Sequence, residues 1–201
     1  MTTIRETEIR FESFMRGLSA AVQLSQRAVE NGSFIESVCL AASVIDAQLR
    51  IGLILNHQLK TKSNDLIDEL LCQIDDNKIV TERNIYKRAL KENIIPQKIY
   101  EELNDLYHKR NKVVHQYIIS DITTEEIVKI AAKYADTVHI IKDSIRNLEN
   151  EQIRLGIGMT VSGNRVPDSI RGKANEVMDK QSDEKHGNSN LAKIFRRKSA
   201  T

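Results

Sequence analysis

The sequence predicts an all-α protein: an up-and-down bundle of about five or six helices followed by a flexible C-terminal tail. Three observations carry this. Only 2 prolines and 8 glycines punctuate 201 residues, too few for a chain cut into many strands and turns. Apolar residues recur three and four apart over long stretches, the period of one helix face. Start and stop signals bracket those stretches.

The first helix spans about Thr3 to Glu30, with Phe11, Met15, Leu18, Val22 and Val29 near one face. Asn31-Gly32 ends it, since both residues tolerate the left-handed backbone of a helix stop. Ser33-Phe34-Ile35-Glu36 has capping-box spacing and opens a second helix to about Lys60. That helix is apolar on nearly every side between Val38 and Ile45, as a helix in the middle of a bundle is. A short third helix is expected from Asn64 to Gln73. The polar run Asp75-Asp76-Asn77-Lys78 then leads to a fourth around Glu82–Glu92. Pro96 suits the first turn of a fifth helix reaching about Ile119. Thr123-Thr124-Glu125-Glu126 is a second capping box, opening a sixth helix to about Asn150. Its stripe of Ile127, Ala131, Tyr134, Val138, Ile141, Ile145 and Leu148 suits a bundle seam and is long enough to extend a dimer interface. Residues 1–155 therefore form the bundle. Over 156–201, Gly156, Gly158, Gly163 and Pro167 break up a polar tail, which closes on the basic segment Leu191–Thr201. That segment is either solvated or in contact with RNA or an acidic partner.

Composition excludes several function classes. A net charge of +2 is too small for a whole-surface polyanion magnet. With aromatics at 4% and no tryptophan, stacking of many bases on aromatic platforms is excluded. Cys39 and Cys72 lack a CxxC partner and indicate a reducing, cytoplasmic setting. The most apolar run is broken by Ser43 and closed by Asp46, short of the ~18 residues of a membrane span. The N-terminus has no apolar signal core. The 5 histidines are scattered, so neither a metal nor another cofactor is expected.

The fifth helix breaks its own pattern. Its core stripe reads Ile99, Leu103, Leu106, Arg110, Val113, Tyr117, with an arginine where an apolar residue belongs. A buried guanidinium is costly unless paired or facing a cleft. A polar stripe of Asn104, His108, Asn111 and His115 runs about 120° around the same helix. Arg110, Asn111, His115 and Tyr117 thus gather in its last two turns.

The string Arg110-Asn-Lys-Val-Val-His115-Gln-Tyr117 resembles the signature of the HEPN superfamily, R-x4-6-H with a polar residue directly after the arginine. Its R-x4-H-x-Y form resembles the toxin of HEPN/MNT toxin–antitoxin pairs. Arg50-x6-His57 also fits the loose pattern, but mid-helix and without the Asn and Tyr, so it reads as coincidence. The resemblance implies a helical bundle that dimerises, joining two motifs in one cleft, and a metal-independent endoribonuclease acting on RNA. RNA supplies its own nucleophile, the 2′-OH. His115 would move the proton, Arg110 would hold the phosphate and its developing charge, and Asn111 would orient either. It further implies a toxin or defence effector whose Tyr117 accepts AMP from a nucleotidyltransferase antitoxin. The alternative within the family is a non-catalytic module binding nucleotide, RNA or a partner protein. Gln116 departs from the pattern, standing where many members have glycine.

Two supporting residues complete the set. Asp46 and Arg50 have the acid-first order of a local i,i+4 pair; alternatively, Asp46 reaches across the bundle to anchor Arg110. His108 is either a second cleft residue or an exposed helix histidine.

Overall fold

The computed structural model of the chain describes residues 4–72 and 80–162, and among these it is entirely helical, without strands. Helix α1 (Ile4–Glu30) turns back through three residues into α2 (Phe34–Thr61). A single turn, α3 (Asp68–Leu71), precedes α4 (Glu82–Lys91) and α5 (Gln97–His115). The long α6 (Thr124–Leu155) and the short α7 (Met159–Ser162) follow. The fold is a helical bundle, as the periodicity predicts.

Helix α2 is its axis. Val38, Ile45, Leu49, Leu53, Ile54 and Leu55 are fully buried, and α6 and α1 pack against it most extensively. By length and composition α2 is apolar enough to cross a membrane, with a mean hydropathy of 1.8 over its most apolar window. Yet 67% of that window is buried inside the bundle, as a core helix requires. The sixth-helix stripe is spent within the chain: Ile127, Ala131, Tyr134, Ile141 and Ile145 are buried, with Val138 and Leu148 packed beside them.

The helices alternate in direction except at one step. Arg50 meets Val80 and Asn56 meets Glu92, so α2 and α4 run the same way. The segment through α3 brings the chain back from the end of α2 to the level of Arg50. Helix α6 is also parallel to α2, since Gly52 lies against Ile145 and Leu55 receives Gln152.

Local details depart from the sequence reading, each for a physical reason. Ser33 makes no side-chain cap. Its amide instead finishes α1 by donating to the Ala28 carbonyl at 2.8 Å, with Gly32 at φ 70° supplying the turn. Helix α3 is shorter than Asn64–Gln73. The Asp65 amide binds Ser63 Oγ and the Asp65 carbonyl takes Gln58 Nε2, so both backbone groups are engaged outside a helical ladder. Gln73 lies outside the described residues. Helix α5 stops at His115, four residues early: Gln116 caps it at φ −124° and ψ 11°, and Ile119 closes a turn onto the Gln116 carbonyl. Lys112–Asp121, at 3.2 Å, spans that turn. The Thr123 capping box forms in full, and α6 runs on to Gly156 in the left-handed conformation.

The tail does not begin at 156. Residues 156–162 fold back onto the ends of α2 and α6. Gln152 Nε2 donates to Gln58 Oε1 (3.0 Å) and to the Leu55 carbonyl (3.2 Å). The Met159 amide donates to Gln58 Oε1 and the Thr160 amide to Gln152 Oε1. Gly158, at φ 84°, lies where a Cβ would sit 2.2 Å from Gln152 Cδ. Buried amides thus hold α7 in place, a signal that apolar periodicity does not register. The rest of the expected tail, with its basic end, lies outside the described residues.

Candidate functional site

On α5, Ile99, Leu103, Leu106 and Val113 point into the core. Arg110 shares their register but turns toward α4, where Nη1 meets Glu82 Oε2 at 2.6 Å. Nη2 donates to Asn111 Oδ1 at 3.2 Å, and the guanidinium lies 4.8 Å from the centre of the Tyr107 ring. Burial works against its charge, but Glu82 outweighs that and holds its pKa above the ordinary arginine value. The half-buried arginine is therefore paired, as its desolvation demands.

Glu82 owes its place to the start of α4. Thr81 caps that helix by accepting from the Asn84 amide, and a carboxylate in the first turn faces the positive helix end. Its other oxygen accepts the Tyr86 hydroxyl, so one carboxylate fixes both Arg110 and Tyr86. Burial, with Glu82 beside it, raises the Tyr86 pKa far above the usual phenol range.

Arg50 is 5% exposed, and each of its three guanidinium nitrogens donates one hydrogen bond. Its Nε donates to Asp46 Oδ2 at 2.7 Å, Nη1 to the Leu70 carbonyl at 3.2 Å, and Nη2 to the Val80 carbonyl at 3.0 Å. Asp46 therefore makes the local pair and does not anchor Arg110; Glu82 fills that role. The other Asp46 oxygen, Oδ1, is buried without a partner. Burial pushes the Asp46 carboxyl up even with Arg50 beside it.

These groups surround a polar cavity of about 600 Å³ between α2, α4 and α5. Ser43, Asp46 and Arg50 line it from α2, Glu82 and Arg83 from α4, and Tyr107 and Arg110 from α5. Asp46 thus belongs to the Arg110 cleft without touching Arg110. His108 is exposed and meets the edge of Tyr107 at 5.7 Å, on the helix face beside the cleft.

The second half of the motif sits elsewhere on the same helix end. His115 is exposed, and five helical residues place it about 140° around from Arg110. Asn111 links the two, bonded to Arg110 and one turn before His115. Because α5 ends at His115, Tyr117 does not continue the stripe. It lies in the following turn, 45% exposed and away from the cavity lining. Around it Val114, Ile118 and Ile119 expose apolar surface at 42%, 93% and 83%. Arg50 and His57 form no site: Arg50 is consumed structurally, and His57 is half-buried near the C-terminal end of α2.

Sequence reasoning missed Glu82, Arg83 and Tyr107. Tyr107 lies three residues before Arg110, and helical spacing alone could have found it. Glu82 and Arg110 are 28 residues apart, and only the packing of α4 against α5 joins them. Among the described residues no group of three or more His, Cys, Asp or Glu is placed to hold a metal ion. Comparison with protein-family models, curated proteins and solved structures returns no match to this chain.

Proposed function

We propose that the chain is a metal-independent endoribonuclease of the HEPN class, acting as a homodimer and serving as a toxin or defence effector. The observation that carries this reading is Arg110: a guanidinium in a core register that opens instead onto a polar cavity, with Asn111 bonded to it and His115 one turn on. The guanidinium holds the scissile phosphate, and the imidazole moves the proton of the 2′-OH. Arg110 and His115 face different directions within one chain, so the second protomer completes the site. The exposed Val114, Ile118 and Ile119 beside His115 supply apolar surface for that pairing. Tyr117, exposed two residues after His115, is accessible to a nucleotidyltransferase partner; an added AMP would bring negative charge and bulk beside His115.

The test is cleavage of RNA by the purified chain with chelator present, beside Arg110→Ala and His115→Ala. Wild type cleaves and both variants lose cleavage while keeping wild-type circular dichroism. Cleavage at wild-type rates by both variants removes the assignment. A second reading, a binding module without catalysis, draws on the Glu82–Arg110 pair, which occupies the guanidinium in the free protein. It predicts RNA binding that depends on Arg110 without turnover.

A further inference from the structure

We propose that Arg83 and Arg110 form a two-phosphate subsite, in which Arg83 grips the phosphate next to the one on Arg110. The cleft then takes a continuous single strand rather than an isolated phosphate. This rests on the ribonuclease reading and states how that site receives its substrate.

The charge balance of the cavity leads there. Five charged side chains line it: Asp46 and Glu82 against Arg50, Arg83 and Arg110. Four are matched in pairs, Arg50 with Asp46 at 2.7 Å and Arg110 with Glu82 at 2.6 Å. Arg83 makes no ion pair or hydrogen bond among the described residues, and it is exposed. The net positive charge of the cavity therefore stands on Arg83. Such a charge at a cavity wall draws in anions.

Geometry narrows the class of anion. Both guanidiniums lie over the Tyr107 ring, Arg110 at 4.8 Å and Arg83 at 5.8 Å from its centre. Laid end to end, those distances put the two charges within about 11 Å of each other. One aromatic ring thus holds two phosphate-binding groups at a spacing that neighbouring phosphates of one strand can bridge. Arg83 also occupies the first turn of α4, whose positive end favours the negative charge of an incoming phosphate. Arg110 shares its donors with Glu82 and Asn111, whereas Arg83 has all of its donors free for an incoming chain.

The experiment uses the full chain and a fluorescein-labelled 2′-deoxy octanucleotide, which binds as a strand but lacks the 2′-OH nucleophile. Anisotropy titrations across a salt series give the slope of log K against log salt. Arg83→Ala lowers that slope by about 0.7, the loss of one single-strand phosphate contact, and weakens low-salt binding by about fivefold. Arg83→Lys restores the slope, because a point charge suffices for a phosphate. Lys142→Ala, an exposed α6 lysine outside the cavity, leaves it at the wild-type value. Thermal melts confirm that each variant is folded. A wild-type slope in Arg83→Ala overturns the subsite and leaves the ribonuclease reading standing. The expected slope change, without wild-type cleavage of the matching RNA, upholds the subsite and removes the chemistry.

Discussion

Replacing Arg50 by alanine should cost the bundle about 4 kcal/mol, and the structure shows where that comes from. The guanidinium is buried and serves three acceptors: Asp46 Oδ2, the Leu70 carbonyl and the Val80 carbonyl. Removing one member of a buried ion pair costs ~3–5 kcal/mol, because the partner charge is left uncompensated. A buried acceptor stripped of its donor costs ~1–3 kcal/mol. These terms overlap, since an emptied site admits water and Asp46 can take up a proton, so about 4 kcal/mol is expected rather than the sum. With an m-value of ~2 kcal/mol/M, the urea midpoint falls by about 2 M. The effect should reach the cleft as well. Val80 immediately precedes the Thr81 cap and Glu82, so freeing its carbonyl loosens the carboxylate that holds Arg110. Arg50→Lys should recover less than half of the loss, because an ammonium cannot reproduce the three-way fork. The Asp46→Ala, Arg50→Ala double variant should lose clearly less than the two single losses combined. An Arg50→Ala midpoint within about 0.5 M of wild type would refute the account, as would strict additivity in the double variant.

Asp46→Asn tests the sign of a pKa shift. Burial raises the Asp46 carboxyl in the folded chain, so its contribution is whole below the unfolded carboxylate value and is lost as pH rises through the elevated folded one. Relative to Asp46→Asn, the wild type should lose stability from about pH 4 upward, and a flat difference between urea melts across pH would contradict this. Gly158→Ala places a Cβ 2.2 Å from Gln152 Cδ at φ 84°; it should cost about 1–3 kcal/mol and speed hydrogen exchange at Met159 and Thr160, whereas unchanged protection would show that α7 is held otherwise. Ile118→Asp with Ile119→Asp, at side chains 93% and 83% exposed, should leave the fold intact and make light scattering report a monomer; a dimer that persists would place the interface elsewhere. Tyr117→Phe should retain cleavage yet escape neutralisation by a nucleotidyltransferase partner, which mass spectrometry after co-expression reads directly; an adenylyl group on another residue would return Tyr117 to an ordinary surface role.

What the sequence shows most clearly is what repeats. The stripes on α5 and α6, the Thr123 box and the Asn31-Gly32 stop are local patterns, and each appears in the fold because its physics is contained within one or two turns. The Arg110 anomaly is legible for the same reason: a charge in an apolar register is visible without a neighbour. The neighbour itself is not. Glu82 reaches Arg110 only because the chain returns from the end of α2 to the level of Arg50 before α4 begins, so that α4 runs parallel to α2. No single-helix pattern encodes that crossover. Helix ends fall between these cases. Ser33 has the composition of a cap but is claimed by the helix before it, and α5 stops four residues before the end its periodicity predicts. That early stop moves Tyr117 from the core stripe to the surface, a large change in meaning from a four-residue error. The turn that begins at 156 is missed because its hold on the bundle comes from two glutamines, which have no period.

Those two glutamines have a bearing on how the bundle finds its alignment. Helices α2 and α6 lie side by side and parallel, and their facing surfaces are built almost wholly of aliphatic side chains. Sliding one along the other by a turn would exchange one aliphatic contact for another at little difference in free energy. Such a slide would also part Gln58 from Gln152 and strand two amides in a dry interior, where each unmet group is expensive. The amide pair therefore acts as a vernier, adding little to how strongly the helices adhere while selecting one alignment from several near-equal ones. Its reach extends to the far end of α6. With Gln152 fixed, the rigid helix sets the height of Thr123, and through the short turn from Gln116 it sets where His115 is presented.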